Sequence, residues 1–89
     1  MPNIDRVAGY RVFFYSSDYS EPPHVHARSG RGVAKFWLLP VRLAQARGFR
    51  HHEINWIRRI IEARESTYLE DWHEHFADDS PGVGGLGDG

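Results

Sequence analysis

His24-Val25-His26-Ala27-Arg28 and Val33-Ala34-Lys35-Phe36-Trp37-Leu38 hold the side chains of this 89-residue chain best suited to chemistry. Both segments alternate, and the side chains of a strand point to its two faces in turn. His24, His26 and Arg28 therefore share one face, and Val25 and Ala27 the other. Lys35 and Trp37 separate from Ala34, Phe36 and Leu38 in the same way. Ser29-Gly30-Arg31-Gly32 between them is a Gly-rich connection of hairpin length. A hairpin closing symmetrically about it sets His26 opposite Lys35, His24 opposite Trp37 and Arg28 opposite Val33. One face is then small and apolar, while the other gathers two imidazoles, a guanidinium, an ammonium and an indole.

Three kinds of chemistry fit that face. Basic side chains bind phosphates, and exposed rings on a sheet stack unpaired bases at ~1–3 kcal/mol each. Arg11, Tyr15, Arg28, Arg31 and Trp37 are the candidate RNA-contacting residues. Two imidazoles beside an ammonium could also cleave RNA without a cofactor. One removes the 2′-hydroxyl proton, one protonates the leaving oxygen, and Lys35 or Arg28 steadies the charged transition state. His24, His26 and Lys35 are the candidate catalytic residues. A metal site is the second reading, because His-x-His on a strand sets two imidazoles side by side. Its third ligand stays open among Asp18, Glu21, His73 and His75, and Lys35 opposite His26 would repel a cation, so the expectation carries no metal. The third reading is an interface, since an aromatic-rich open sheet face is also what a homodimer or protein partner covers.

These residues need a sheet to hold them. Tyr10-Arg11-Val12-Phe13-Phe14-Tyr15, aromatic and β-branched between Gly9 and Ser16-Ser17-Asp18, reads as a further strand. Turning Tyr10, Val12 and Phe14 inward keeps Arg11 out of the core and sends Arg11, Phe13 and Tyr15 to the basic face. Asp18 to Pro23 is a loop whose stiff Pro22-Pro23 step delivers His24 in a set direction. Pro40 ends the next strand. Val41-Arg42-Leu43 reads as a short fourth strand or as a helical turn with Ala44-Gln45-Ala46-Arg47, and Gly48 breaks the chain.

From His51 a helical period takes over. Ile54, Ile57, Ile61, Tyr68, Trp72 and Phe76 form a stripe, with Ile60 and Leu69 beside it. An unbroken helix to Phe76 would run roughly 38 Å. That length overhangs a small sheet and calls for a bend near Ser66-Thr67 or a second molecule against it. Within Trp72-His73-Glu74-His75-Phe76 the two histidines point about 200° apart, so they cannot chelate together. His51-His52-Glu53 reads as a solvated helix start, with Glu53 suited to the dipole. The expected fold is α+β: two layers, a three- to four-stranded antiparallel meander covered on one face by a long C-terminal helix. Residues 1–77 form the domain, and 78–89 a flexible Gly-rich tail.

Composition narrows the field further. One small domain buries roughly 60–65% of its unfolded surface, and without cysteine there is neither a disulfide nor a thiolate ligand. Met1-Pro2-Asn3-Ile4-Asp5-Arg6 lacks the apolar run of a signal peptide, and no stretch approaches a membrane span, so a cytoplasmic protein is expected. The net charge is −1, yet eight Lys or Arg face two acids from Arg6 to Arg50, and the part from His51 onward is acidic. A basic sheet with an acidic helix end follows.

Gly9-Tyr10-Arg11-Val12-Phe13-Phe14-Tyr15, Glu21-Pro22-Pro23-His24-Val25-His26, Ala34-Lys35-Phe36-Trp37-Leu38 and Trp72-His73-Glu74-His75-Phe76 together resemble the small bacterial domain-of-unknown-function family 4160. The resemblance spans about residues 2–77, and its motif positions here are His24, His26, Lys35 and Trp72. It implies membership of a two-gene module like a toxin–antitoxin pair, beside a short protein of family 2442. The candidate partners are RNA, a cognate small protein from a neighbouring gene, and a second copy of the chain. The expected function is that of a module component acting as a metal-independent ribonuclease or RNA binder, or alternatively a non-enzymatic protein-binding module using the same face.

Overall fold

A computed structural model describes residues 3–79. Five strands run in order: β1 Asn3–Val7, β2 Tyr10–Phe13, β3 His24–Ser29, β4 Gly32–Leu38 and β5 Val41–Arg47. They form one antiparallel meander in which each strand pairs with its sequence neighbours. A short 3-10 helix, Ser16–Ser20, lies between β2 and β3. Two helices follow the sheet, α1 His51–Ala63 and α2 Glu65–Asp79.

Short turns set the registers. Ala8 and Gly9 link β1 to β2 with φ of 53° and 85°, the left-handed pair that suits a tight hairpin. Between β3 and β4, Ser29 faces Gly32, His26 faces Lys35, His24 faces Trp37 and Arg28 faces Val33, as the symmetric hairpin requires. Gly32 has a separate reason to be glycine: a Cβ there would fall inside the ring of Phe49.

The strand count exceeds the three or four expected. Val41-Arg42-Leu43 continues to Arg47 as a full strand, helped by an irregularity opposite Lys35/Phe36 that keeps both halves of β5 in register with β4. β1 is an addition to the expected sheet, because Asn3-Ile4-Asp5-Arg6-Val7 alternates poorly around a bulge between Asn3 and Asp5.

The expected parity holds. Tyr10, Val12 and Phe14 join Val25, Ala27, Ala34, Phe36 and Leu38 on the inner face, packed against Ile57, Ile60, Ile61, Tyr68 and Trp72. At roughly 1.5–3 kcal/mol for each enclosed large apolar side chain, this layer is the main source of stability. The helical part is two helices rather than one. The chain breaks at Arg64, with φ −119° and ψ 15°, two residues before the expected bend. That break lets Ile57 and Ile61 on α1 and Tyr68 and Trp72 on α2 all reach one small sheet.

Polar ties join the layers. The Tyr68 hydroxyl donates to Asp5 Oδ2 at 2.7 Å, and Arg64 Nε stands 3.3 Å from the same oxygen. The Tyr10 hydroxyl donates to Glu53 Oε2 at 3.0 Å. Helix α2 continues to Asp79, past the expected boundary at 77; residues 80–89 of the expected tail lie outside the described residues. No helix among the described residues is long and apolar enough to cross a membrane.

Candidate functional site on the outer sheet face

The face away from the helices is organised in register rows. Arg6 pairs with Arg11, Arg11 with Arg28, Arg28 with Val33 and Val33 with Arg47, so one row across all five strands carries four arginines. Neighbouring strands lie about 4.8 Å apart, which makes Arg6, Arg11 and Arg28 a line of closely spaced cations, with Arg47 one strand beyond Val33. Like charges directly opposite each other cost stability, and no carboxylate among the described residues pairs with any of the four. Arg6, Arg11 and Arg28 line a shallow hollow with Gly9, Ser29 and Gly30. Arg47, Lys35, His26 and Gln45 line a second. Neither lining holds an acid.

The next row is Phe13, His26, Lys35 and Gln45. His26 is packed among rings: stacked on Phe13 with centroids 5.3 Å apart, and edge-on to Tyr15 at 5.0 Å and His24 at 5.1 Å. Burial pushes its imidazole below the ordinary histidine range, against the upward pull of its hydrogen bond to Asp18. Tyr15 remains 43% exposed at the edge of this group. Lys35 donates to Glu21 Oε1 at 2.6 Å, which holds the Glu21 carboxyl below its usual range. Its ammonium also lies 4.7 Å from the centre of the Trp37 ring. The candidate transition-state cation is thus already paired with an anion.

The largest correction concerns His24. Strand alternation turns it outward beside His26, yet its side chain has 0% exposure. Three things enclose it: Trp37 across the hairpin with centroids 5.6 Å apart, His26 on its own strand, and Trp72 of α2 at 5.1 Å. Being the first residue of β3, it sits where the middle of α2 brings Trp72 against the sheet. Strand alternation gives the parity of a side chain but not how far a helix overhangs the strand's end.

Asp18 sits between the two imidazoles. Its Oδ2 accepts from the Tyr15 backbone N–H at 2.8 Å, which anchors the carboxylate over the sheet. The same oxygen lies 3.2 Å from His26 Nε2 and 3.0 Å from His24 Nε2. The second approach is off the line that a hydrogen bond needs, so His24 Nε2 is buried without one. Asp18, His24 and His26 bring three donor atoms within 4.8 Å of one another. Of the third ligands left open by sequence, Asp18 is the one the fold supplies. Glu21 is turned to Lys35, 3.8 Å from His24 Nδ1, and His73 and His75 belong to no such group among the described residues.

Of the candidate RNA-contacting residues, Arg11 and Arg28 are neighbours in the arginine row, and Arg31 is exposed at the adjoining hairpin tip. Tyr15 and Trp37 flank His26 and His24 respectively. Sequence reasoning missed Arg6 and Arg47, because β1 and the full length of β5 are not evident in the pattern of the chain. An alternating Val41-x-Leu43 with Arg42 between was the available signal for the longer β5.

The architecture defines a small two-layer α+β domain in which α1 and α2 cover one face of a meander, while the 3-10 helix reaches over only the His24–His26 end of the other. Residues 9–73 match the family model described as a domain of unknown function, DUF4160, and the chain belongs to that family. The matched segment contains His24, His26, Lys35 and Trp72 but not Arg6. Comparisons with curated proteins and with solved structures found no match.

Proposed function

We propose that this domain binds single-stranded RNA along its open sheet face. The observation that carries the reading is the row Arg6, Arg11, Arg28 and Arg47, three like charges on adjacent strands and a fourth one strand beyond Val33, with no carboxylate partner among the described residues. A scaffold gains nothing from such a row, whereas a phosphate chain laid across the strands neutralises it. Exposed Tyr15, beyond the neighbouring Phe13–His26 row, offers a ring for an unpaired base. The proposal is binding rather than cleavage by paired imidazoles. General acid–base cleavage needs both rings within reach of one phosphodiester, and His24 is enclosed.

The test is fluorescence anisotropy of the full chain with a short single-stranded RNA over a salt series. Affinity should fall steeply with salt. Arg11→Ala or Arg28→Ala should weaken binding and lower the log–log slope by about 0.7 for each phosphate that the arginine neutralised. Absence of binding at low salt, or binding indifferent to both substitutions, overturns the reading. The implied toxin–antitoxin-like role is tested separately by expression in a bacterium. Growth arrest with RNA loss would favour an enzyme. Stable co-purification of a neighbouring acidic protein, in place of RNA, would make the arginine row a protein interface.

A further inference from the structure

We infer that Asp18, His24 and His26 form a binding site for a divalent transition metal ion of the zinc class. The key atom is His24 Nε2. On the other side of the ring, Nδ1 lies 2.9 Å from the Pro22 carbonyl oxygen. A carbonyl can only accept, so Nδ1 carries the hydrogen and Nε2 is the nitrogen left to ligate a metal ion. That nitrogen is fully buried, has no hydrogen bond, and lies 3.0 Å from a carboxylate oxygen of Asp18. A buried nitrogen without a partner is costly, and an ion held between it and that carboxylate would satisfy both.

The surroundings match what metal sites require. Ligating histidines hold their second nitrogen on a carbonyl or carboxylate, which fixes tautomer and ring direction; here the Pro22 carbonyl does this for His24. Asp18 is held by the Tyr15 N–H. Two ligands of a tetrahedral zinc ion, each about 2.0–2.1 Å from the metal, lie about 3.3–3.4 Å apart. The two nitrogen-to-oxygen separations, 3.0 and 3.2 Å, are close to that edge. His26 would exchange its hydrogen bond to Asp18 for the ion and carry its proton on Nδ1. Two imidazoles with one carboxylate select zinc, cobalt(II) or iron(II) over magnesium or calcium.

Lys35, the cation across the hairpin from His26, does not oppose the ion, since Glu21 neutralises it at 2.6 Å. Asp18 and His26 keep 14% and 15% of their side chains exposed, so an ion can enter from the open face and retain a position for a further ligand. The site is independent of the arginine row, and RNA binding would survive its failure.

The experiment uses the full chain without an affinity tag, stripped with a chelator and titrated calorimetrically with Zn²⁺, and separately with Co²⁺ while its visible absorption is followed. Wild type should bind one equivalent of Zn²⁺ tightly, gain thermal stability, and develop cobalt d–d bands. Asp18→Asn and His26→Gln, each shown to be folded by circular dichroism, should lose about tenfold or more in affinity. His51→Ala/His52→Ala should bind as wild type, which separates this site from surface histidines. Lack of saturable Zn²⁺ and Co²⁺ binding by wild type overturns the inference, as does unchanged binding in both folded ligand variants.

Discussion

The indole of Trp72 rests on the imidazole of His24, with ring centroids 5.1 Å apart. This contact joins the C-terminal helix to the start of β3, and through it the helical layer seals one member of the histidine pair. Trp72 also meets Phe14 at 5.3 Å and Phe76 at 4.3 Å, so one side chain closes the end of the core. Trp72→Ala should therefore cost about 3–5 kcal/mol, a large part of a small domain's stability, read as a lower urea midpoint. Trp72→Phe should keep most of it.

The arginine row sets stability against the proposed RNA binding. Arg28 lies opposite Arg11, so Arg28→Thr should stabilise the fold by about 0.2–1 kcal/mol while weakening RNA binding. Thermal denaturation and anisotropy on the same preparation check both signs. Loss of stability together with loss of binding would mean that Arg28 serves the scaffold.

Alkaline pH should weaken the tie between α2 and β1. Burial, then the hydrogen bond to Asp5, raises the Tyr68 hydroxyl far above its ordinary range. A group with a raised folded-state pKa contributes fully below its unfolded value, near pH ~10, and loses that contribution as pH climbs toward the folded value. Urea midpoints should decline above about pH 10, and Tyr68→Phe should flatten part of that decline. Tyr10, raised by burial and Glu53, accounts for a further part. At neutral pH Tyr68→Phe should cost about 1–2 kcal/mol, because Asp5 loses its hydroxyl donor.

Asp71 follows the same linkage in the acid range, but here removing the titrating group is favourable. Burial first, then Glu74, Glu70 and Asp5, raises its carboxyl pKa, so the folded state favours the protonated form and the charge is unfavourable near neutrality. Removing that charge with Asp71→Asn should raise the melting temperature at pH 7 by an amount that shrinks as the solution is acidified. Like-charge helix neighbours cost about 0.2–0.5 kcal/mol per pair, which sets the scale.

Gly32→Ala should be destabilising by about 1–3 kcal/mol, although its hairpin register accepts any residue. The added Cβ would fall within the Phe49 ring, which also meets Tyr10 with centroids 6.0 Å apart. Recovery of stability in Gly32→Ala/Phe49→Ala, relative to the sum of the two single changes, would trace the destabilisation to that clash.

Much of the sheet was legible in the chain itself. The alternation in His24–Arg28 and Val33–Leu38, together with a Gly-rich link of hairpin length, determined their register and the inward parity of Val25, Ala27, Ala34, Phe36 and Leu38. The parity of Tyr10, Val12 and Phe14 followed from keeping Arg11 out of the core. These are consequences of local backbone geometry, and residues close in sequence carry them.

Tertiary structure alone decided the character of both candidate sites. Arg6 and Arg47 join Arg11 and Arg28 only because β1 and β5 pair at the two edges of the sheet. His24 is enclosed because α2, folding back more than forty residues later in the chain, lays Trp72 over it. Asp18 reaches both imidazoles because the short helix after β2 turns its carboxylate back over β3, where the Tyr15 N–H holds it. Alternation states which way a side chain points; what it meets there depends on the packing of segments distant along the chain.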